Sequence, residues 1–213
     1  MGRVFRPQGV VMTAGEPPGV RARAVVETRN AILEAAGRLL REPSRPWSME
    51  AVAHAAGVTR VTIYNQFGGR VELIEAVLDQ VVARDRMDRL LEGTEALPPR
   101  AALRAAVTTT CRFWHAERHL LRRLFGAAWP DPAVARLIAR REGWRRDQLR
   151  ALLARLQGDL VDGVDAERAT DVLLALTSFP AYDGLGSLGD EPDLAAGYLV
   201  RLAGGLLSAP DPA

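Results

Sequence analysis

Residues 52–73 read VAHAAGVTRVTIYNQFGGRVEL and are the most informative part of the sequence. Gly57 is the residue type that ends a helix in the left-handed conformation, and Thr59 is a type that begins one. Gly68 and Gly69 make a second break further along the chain. The stretch therefore predicts two short helices joined by a glycine turn.

The residues before this pair predict one more helix and the start of the second. Apolar residues at helical spacing define a first helix over residues 25–41, namely Ile32, Leu33, Ala36, Leu39 and Leu40. Two prolines then end it, at Pro43 and Pro46. Ser48 is placed to cap a helix over residues 49–56.

The remainder of the chain is also predicted to be helical. Proline, glycine and a loop over residues 183–192 separate segments of helical periodicity at residues 70–91, 100–117, 119–129, 131–157, 165–179 and 193–207. Because no segment alternates with period two among bulky β-branched residues, no sheet is expected. The predicted fold class is all-α, with about nine helices.

The third helix has two different faces. On a wheel of 100° per residue, Ile63 and Phe67 both point to the core, about 40° apart. Asn65 lies on the opposite side, flanked by Val61 and Thr62. This helix therefore directs polar groups away from the protein, as helices that enter the DNA major groove do. Spacing alone leaves open an ordinary helical hairpin with a solvated outer face.

The residue types on the outer face suit the reading of base pairs. Arg60 can bind guanine O6 and N7, Asn65 can bind adenine N6 and N7, and Val61 can pack on a thymine methyl. Residues on the flanks and at helix N-termini are placed to bind phosphate, where amides and the helix dipole favour an anion. The full set expected to contact DNA is Ser48, Thr59, Arg60, Val61, Thr62, Tyr64, Asn65, Gln66 and Arg70.

The same stretch resembles the TetR/AcrR family of bacterial transcriptional regulators. The resemblance rests on Ala-Gly-Val at 56–58, Thr-Ile-Tyr at 62–64, Phe67, a basic residue at 70 and Glu-Leu at 72–73. It implies DNA-backbone contacts by Thr62, Tyr64 and Arg70, and base contacts by Arg60, Val61 and Asn65. Three positions depart from the family pattern: Gln66 stands where histidine or tyrosine is usual, Arg70 replaces lysine, and Gly69 replaces a Ser, Asn or Asp cap.

Charge is distributed unevenly along the 213 residues. All 28 basic residues are arginine, a bias that a GC-rich genome produces. Residues 1–70 hold ten arginines and five acids, whereas residues 71–213 hold 18 arginines and 21 acids. The predicted organisation is a disordered, Pro- and Gly-rich arm over residues 1–22, a helix-turn-helix DNA-binding domain over residues 23–70, and a helical domain over residues 71–213. The family resemblance implies that this last domain is the effector-binding and dimerisation domain.

Cysteine usage and hydropathy indicate a cytoplasmic location. Cys111 is the one cysteine, which excludes an intrachain disulfide and fits a reducing compartment. No apolar run reaches the roughly 18 residues of a membrane span. The N-terminus also lacks the apolar core of a signal peptide.

The part of the chain after residue 70 is larger than the predicted DNA-binding helices need for support. The family resemblance implies that this part binds a small-molecule effector and forms the dimer. Aromatic and soft residues there are typical of an apolar pocket between helices. Core packing explains each of them equally well when taken alone. The expected pocket residues are Cys111, Trp114, Phe125, Trp129, Phe179 and Tyr182.

Two other clusters in this part have simpler explanations. Cys111, His115 and His119 recur every four residues, a spacing that suits zinc or copper on a continuous helix. A helix junction at residues 117–119 would turn His119 away, and a fourth ligand is lacking, so neither a metal nor a cofactor is predicted. A run of five arginines between residues 140 and 150 is interpreted as the solvated face of a long helix.

The last two predicted helices carry broad apolar stripes: Val172, Leu173, Leu176, Leu194, Tyr198, Leu202 and Leu206. Packing within one chain is the alternative explanation of these stripes. Two such helices from each chain can form a four-helix interface. We therefore expect a homodimer through these helices, binding a pseudo-palindromic stretch of double-stranded DNA.

The sequence thus predicts a DNA-binding transcriptional regulator. The favoured interpretation is a repressor that a small-molecule effector releases from DNA. An architectural DNA-binding protein without an effector is the alternative. A helical enzyme is disfavoured because the sequence has no nucleophile–base pair, Gly-rich phosphate loop or carboxylate cluster at a spacing typical of a catalytic site.

Overall fold

The computed structural model describes residues 19–208 except residues 86, 88, 89, 93, 95 and 129, and it describes the backbone alone at residues 20, 21 and 157. Over this part of the chain ten α-helices form: Val20–Arg41 (α1), Met49–Ala56 (α2), Arg60–Phe67 (α3), Arg70–Arg84 (α4), Pro99–Ala116 (α5), Arg118–Ala128 (α6), Pro132–Ala154 (α7), Ala166–Leu176 (α8), Phe179–Asp183 (α9) and Pro192–Ala203 (α10). The all-α prediction is confirmed. Residues 1–18 of the predicted arm lie outside the described residues.

Helices α1 to α4 share a small core. Ile32, Val52, Ile63 and Leu73, one from each helix, are completely buried. α1 packs against both α2 and α4, and α2 meets α3 at the turn. Full burial of one large aliphatic side chain contributes about 1.5–3 kcal/mol. Tertiary packing therefore holds the two short helices, which are too short to be stable in isolation.

The other helices pack around a leucine-rich core. α10 lies against α5 and α7 lies against α8, while α6 packs against both α7 and α1. Leu120, Leu137, Leu152 and Leu173 are almost completely buried within these helices. Because α6 contacts both α1 and α7, it connects the N-terminal helices to the rest of the molecule.

Several helix boundaries differ from the sequence prediction. α1 begins five residues earlier than residue 25, and α4 ends at Arg84 instead of residue 91. The helix predicted over residues 165–179 is divided, because the Thr177 hydroxyl donates to the Leu173 carbonyl at 2.7 Å and Ser178 caps α9. Such local side-chain bonds compete with helix continuation. The last helix ends at Ala203 and continues as a 3-10 turn over Gly204–Leu206.

The chain segment after α10 returns to the segment after α7. Within the described residues, an isolated antiparallel β-bridge joins Leu160 and Leu207. The Ser208 amide donates to the Asp159 carbonyl at 2.7 Å beside it. None of the helices described here is both long enough and apolar enough to cross a lipid bilayer.

Candidate nucleic-acid interface and regulatory core

Three local caps set the geometry of α2 and α3. Ser48 Oγ accepts a hydrogen bond from the Ala51 amide at 3.1 Å at the start of α2. Gly57 ends α2 with φ 66° and ψ 30°, a left-handed conformation that L side chains rarely adopt. Thr59 Oγ1 then accepts from the Thr62 amide at 3.1 Å and starts α3. The direction of α3 is therefore fixed by groups at both ends of the turn.

The two faces of α3 are divided as the sequence predicts. Ile63 is fully buried and Phe67 is 9% exposed. On the other side Val61 is 66% exposed, and Arg60 and Asn65 are exposed as well. The face that projects from the protein therefore holds a guanidinium, a small apolar group and an amide.

The flanking residues of α3 differ from one another in solvent exposure. Tyr64 is 43% exposed, but Thr62 and Gln66 are half-buried. The Thr62 hydroxyl lies 2.9 Å from the Thr59 hydroxyl, which draws it toward the cap. Tyr64 is thus the flanking side chain most open to a phosphate.

Arg29 of α1 supports the end of α3, and the sequence analysis did not single it out. Its Nη1 donates to the Gln66 carbonyl at 2.9 Å, and its guanidinium lies 4.2 Å from the centroid of the Phe67 ring. A cation at a helix C-terminus also opposes the negative end of the helix dipole. No local pattern could reveal this contact, because it joins residues 37 positions apart.

Arg70, the first residue of α4, has partners in the folded chain. Its Nη1 lies 2.7 Å from Asp131 Oδ2, and its guanidinium lies 5.4 Å from the Trp47 ring centroid. The preceding residue, Gly69, gives α4 no side-chain cap. The predicted phosphate-binding arginine is therefore half-exposed and held by an acid from the start of α7.

A buried carboxylate lies where α5 and α6 meet. Glu117 is 2% exposed, and its Oε2 accepts from Arg41 Nε of α1 at 2.9 Å. Its Oε1 pairs with Arg84 at the end of α4. Hydrogen bonds to Asp85 and Glu117 raise the pKa of Arg84 above its usual range. Glu117 therefore ties the ends of two N-terminal helices to one turn of the second part.

Three of the expected pocket residues, Trp114, Phe125 and Phe179, form one aromatic cluster. The Trp114 and Phe179 ring centroids are 5.8 Å apart, and those of Phe125 and Phe179 are 5.1 Å apart. Cys111 is completely buried on the same helix as Trp114, and burial raises the pKa of its thiol to about 12. A thiol with so little thiolate at neutral pH is a poor nucleophile.

Tyr182 belongs to the same part of the core. It is completely buried, and its hydroxyl donates to the Gly189 carbonyl at 2.7 Å. Burial raises its pKa to about 12. The remaining expected pocket residue, Trp129, lies outside the described residues.

Arg145 corrects the interpretation of the α7 arginines as a solvated face. It is 3% exposed, and its Nη1 binds both carboxylate oxygens of Glu142 at 2.9 and 3.0 Å. Its Nη2 donates to Thr177 Oγ1 at 2.9 Å, and its guanidinium lies 5.2 Å from the Trp114 ring. Burial lowers its pKa. The other four arginines of the run pair with acids, two with acids of α4 and two with acids of α8 or α7.

Two open grooves lie outside this cluster. One of about 510 Å³ separates α1 from α4, with Leu33 and Val77 on its walls and Arg38 at its edge. The other, of about 340 Å³, lies between the loop around Trp47 and α6 near Arg123. Among the described residues, neither groove is lined by the expected pocket residues, of which Trp114, Phe125 and Phe179 pack on one another.

Cys111, His115 and His119 do not come together as a set of metal ligands. α5 ends at Ala116, so His119 lies on α6, as the predicted junction requires. His115 is exposed, and its Nδ1 is 3.1 Å from the Gly189 carbonyl. Among the described residues no group of three His, Cys, Asp or Glu side chains is placed to hold a metal ion.

One face of α10 is apolar and open. Leu194, Tyr198 and Leu202 recur every four residues and are 45%, 47% and 61% exposed. The opposite face, which includes Leu199 and Ala203, is buried and packs against α5. Val172 of α8 is also 43% exposed. α10 thus has two apolar faces, one of which is uncovered in the single chain.

The fold and the exposed α3 define a helix-turn-helix protein whose DNA-binding helices are joined to a larger helical domain. Residues 32–77 match the family model described as "Bacterial regulatory proteins, tetR family". No curated relative matches the sequence.

Several solved structures share the fold of this chain over most of its length. GusR of Salmonella enterica is 27% identical, with a TM-score of 0.65 over 85% of this chain and 96% of that one. NalD, the secondary repressor of the MexAB-OprM multidrug efflux pump in Pseudomonas aeruginosa, is 24% identical, with a TM-score of 0.61 over 86% and 98%. A transcriptional regulator from Saccharomonospora viridis in complex with choline is 20% identical, with a TM-score of 0.63 over 83% and 95%. Residues 32–77 therefore match the DNA-binding region of TetR-family regulators, and the chain as a whole has the fold of solved TetR-family transcription regulators.

Proposed function

We propose that this regulator is a homodimeric repressor that reads its operator through α3 and leaves DNA when a small molecule binds its C-terminal part. The observation that carries the proposal is the outward face of α3. Arg60, Val61 and Asn65 are exposed there, while the apolar residues of the same helix are buried. These side chains can distinguish guanine, thymine and adenine edges in the major groove.

We assign the remaining contacts to the DNA backbone. Tyr64 and Arg70 are exposed and carry donors, and the α2 and α4 N-termini offer backbone amides. Ser48, Thr59, Thr62 and Gln66 complete the set. Backbone contacts fix the register of a protein on the duplex, but they carry no sequence information by themselves.

We also propose that residues 23–70 form the DNA-binding unit and that residues 71–213 hold the effector site and the dimer contacts. The uncovered stripe of Leu194, Tyr198 and Leu202 supports dimerisation through α8 and α10. Twofold symmetry would place the two α3 helices on half-sites about 34–36 Å apart.

The effector site is assigned to the cluster around Trp114, Phe125 and Phe179. Its rings lie between helices, where apolar ligand sites occur. The solved relative with choline and the relative that is a named repressor support a ligand-responsive repressor by analogy. An effector releases DNA only if it binds the released conformation more tightly than the DNA-bound one.

Selection of bound duplexes from a random library tests the proposal. We expect the purified protein to enrich a pseudo-palindrome, and we expect that operator, placed within a promoter, to lower reporter expression when the protein is present. A matched operator with both half-sites scrambled serves as the control. Failure to enrich any sequence would contradict specific reading, and higher reporter expression would identify an activator.

A further inference from the structure

The contact between Arg70 and Asp131 joins the DNA-binding helices to the second part of the molecule. Asp131 caps α7, and its Oδ1 accepts from the Ala133 amide at 3.0 Å. Its other oxygen, Oδ2, lies 2.7 Å from Arg70 Nη1. One carboxylate therefore holds the start of α7 and the first residue of α4 at the same time.

Arg70 is also the residue to which the proposed function gives a phosphate contact. The pair is open to solvent, with side-chain exposures of 42% for Arg70 and 29% for Asp131. An exposed ion pair is weak and exchanges readily. A phosphate that approaches Arg70 must either displace the Asp131 carboxylate or remain close to its negative charge.

We propose that Asp131 competes with DNA phosphate for Arg70, and so acts as a residue of the second part that lowers DNA affinity. This inference rests on the phosphate contact of Arg70 in the proposed function. Trp47, 5.4 Å from the guanidinium, keeps Arg70 near this position when the carboxylate is displaced. The competition concerns a backbone contact, so it acts equally on every DNA sequence.

The test compares DNA affinity by fluorescence anisotropy on a 30-base-pair duplex of mixed sequence, which needs no knowledge of the operator. Asp131→Asn removes the charge and keeps a good helix cap. The matched control is Asp165→Asn, because Asp165 also caps a helix, α8, and also pairs with an arginine, Arg168 at 3.2 Å. Circular dichroism and thermal unfolding confirm that both variants fold.

We expect Asp131→Asn to tighten binding by about three- to fivefold, and Asp165→Asn to leave it within about twofold of the parent. The gain should disappear when Asp131→Asn is combined with Arg70→Ala. Unchanged or weaker binding by Asp131→Asn, or a gain that survives in the double variant, overturns the competition. If Arg70→Ala alone leaves affinity unchanged, the phosphate contact of the proposed function fails as well, so the two failures are distinguishable.

Discussion

At the scale of single residues, exposure separates the proposed base-reading side chains from the supporting ones within the eight positions of α3. Ile63 and Phe67 are inside, whereas Arg60, Val61 and Asn65 project outward. Asn65 is the clearest test of base reading, because a truncated amide loses a bidentate contact while the helix keeps its core.

Asn65→Ala should weaken binding to the selected operator by about 1–3 kcal/mol, because a specific base contact is lost. Binding to a scrambled duplex should change little. Anisotropy titrations on both duplexes at one salt concentration measure the difference. Gln148→Ala, which truncates an amide on α7, is the control. Equal losses of Asn65→Ala on the two duplexes would remove Asn65 from base reading.

At the scale of helices, two glycines form a matched pair for substitution, because one is left-handed and the other is helical. Gly57 has φ +66°, and no neighbouring atom would obstruct an added Cβ. Gly143 lies within α7, also with open space around the position of a Cβ. The two sites therefore differ in backbone conformation and not in crowding.

Gly57→Ala should lower the free energy of unfolding by about 1 kcal/mol, because an alanine is strained in the left-handed region. Gly143→Ala should raise it by about 0.5–1 kcal/mol, because alanine is favoured within a helix. Urea unfolding followed by circular dichroism measures both. A stabilised Gly57→Ala would mean that the turn between α2 and α3 does not have this geometry.

The helices that the sequence predicted well are those set by neighbouring residues. The caps at Ser48, Gly57 and Thr59 act over three or four positions, so they are visible in the sequence. The contacts of Arg29, Glu117 and Arg145 join residues 37, 76 and 32 positions apart, and no spacing rule reveals such partners. The division at Thr177 also depends on a side-chain bond that competes with the helix.

At the scale of the whole molecule, Glu117 is a polar link between the two parts. It binds Arg41 of α1 and Arg84 of α4 from the turn before α6. Both arginines are partly exposed, which reduces the strength of the two ion pairs. The carboxylate itself is buried, so it depends on these partners for its hydrogen bonds.

Glu117→Gln should lower the free energy of unfolding by about 1–3 kcal/mol, since charge-assisted hydrogen bonds are lost. Glu34→Gln on the exposed face of α1 is the control and should stay within about 0.5 kcal/mol of the parent. Urea unfolding is again the measurement. Equal stability of Glu117→Gln and the control would show that the link contributes nothing to the fold.

The exposed stripe of α10 leads to a prediction about assembly. Leu202 is 61% exposed, the largest exposure along that stripe. A twofold interface repeats every substitution on both chains. Leu202→Arg should therefore place two like charges in one apolar contact, and like-charge juxtaposition costs several kcal/mol. The dissociation constant of the proposed dimer should rise by about 100-fold or more.

Light scattering during gel filtration at micromolar concentration checks this outcome. Ala151→Arg, at an exposed position of α7, adds the same charge away from the stripe and should leave the dimer intact. The monomeric variant should also lose roughly half of the salt dependence of operator binding, because one DNA-binding unit neutralises half as many phosphates as two. A dimer that survives Leu202→Arg would place the interface elsewhere, and the uncovered face of α10 would then need another partner.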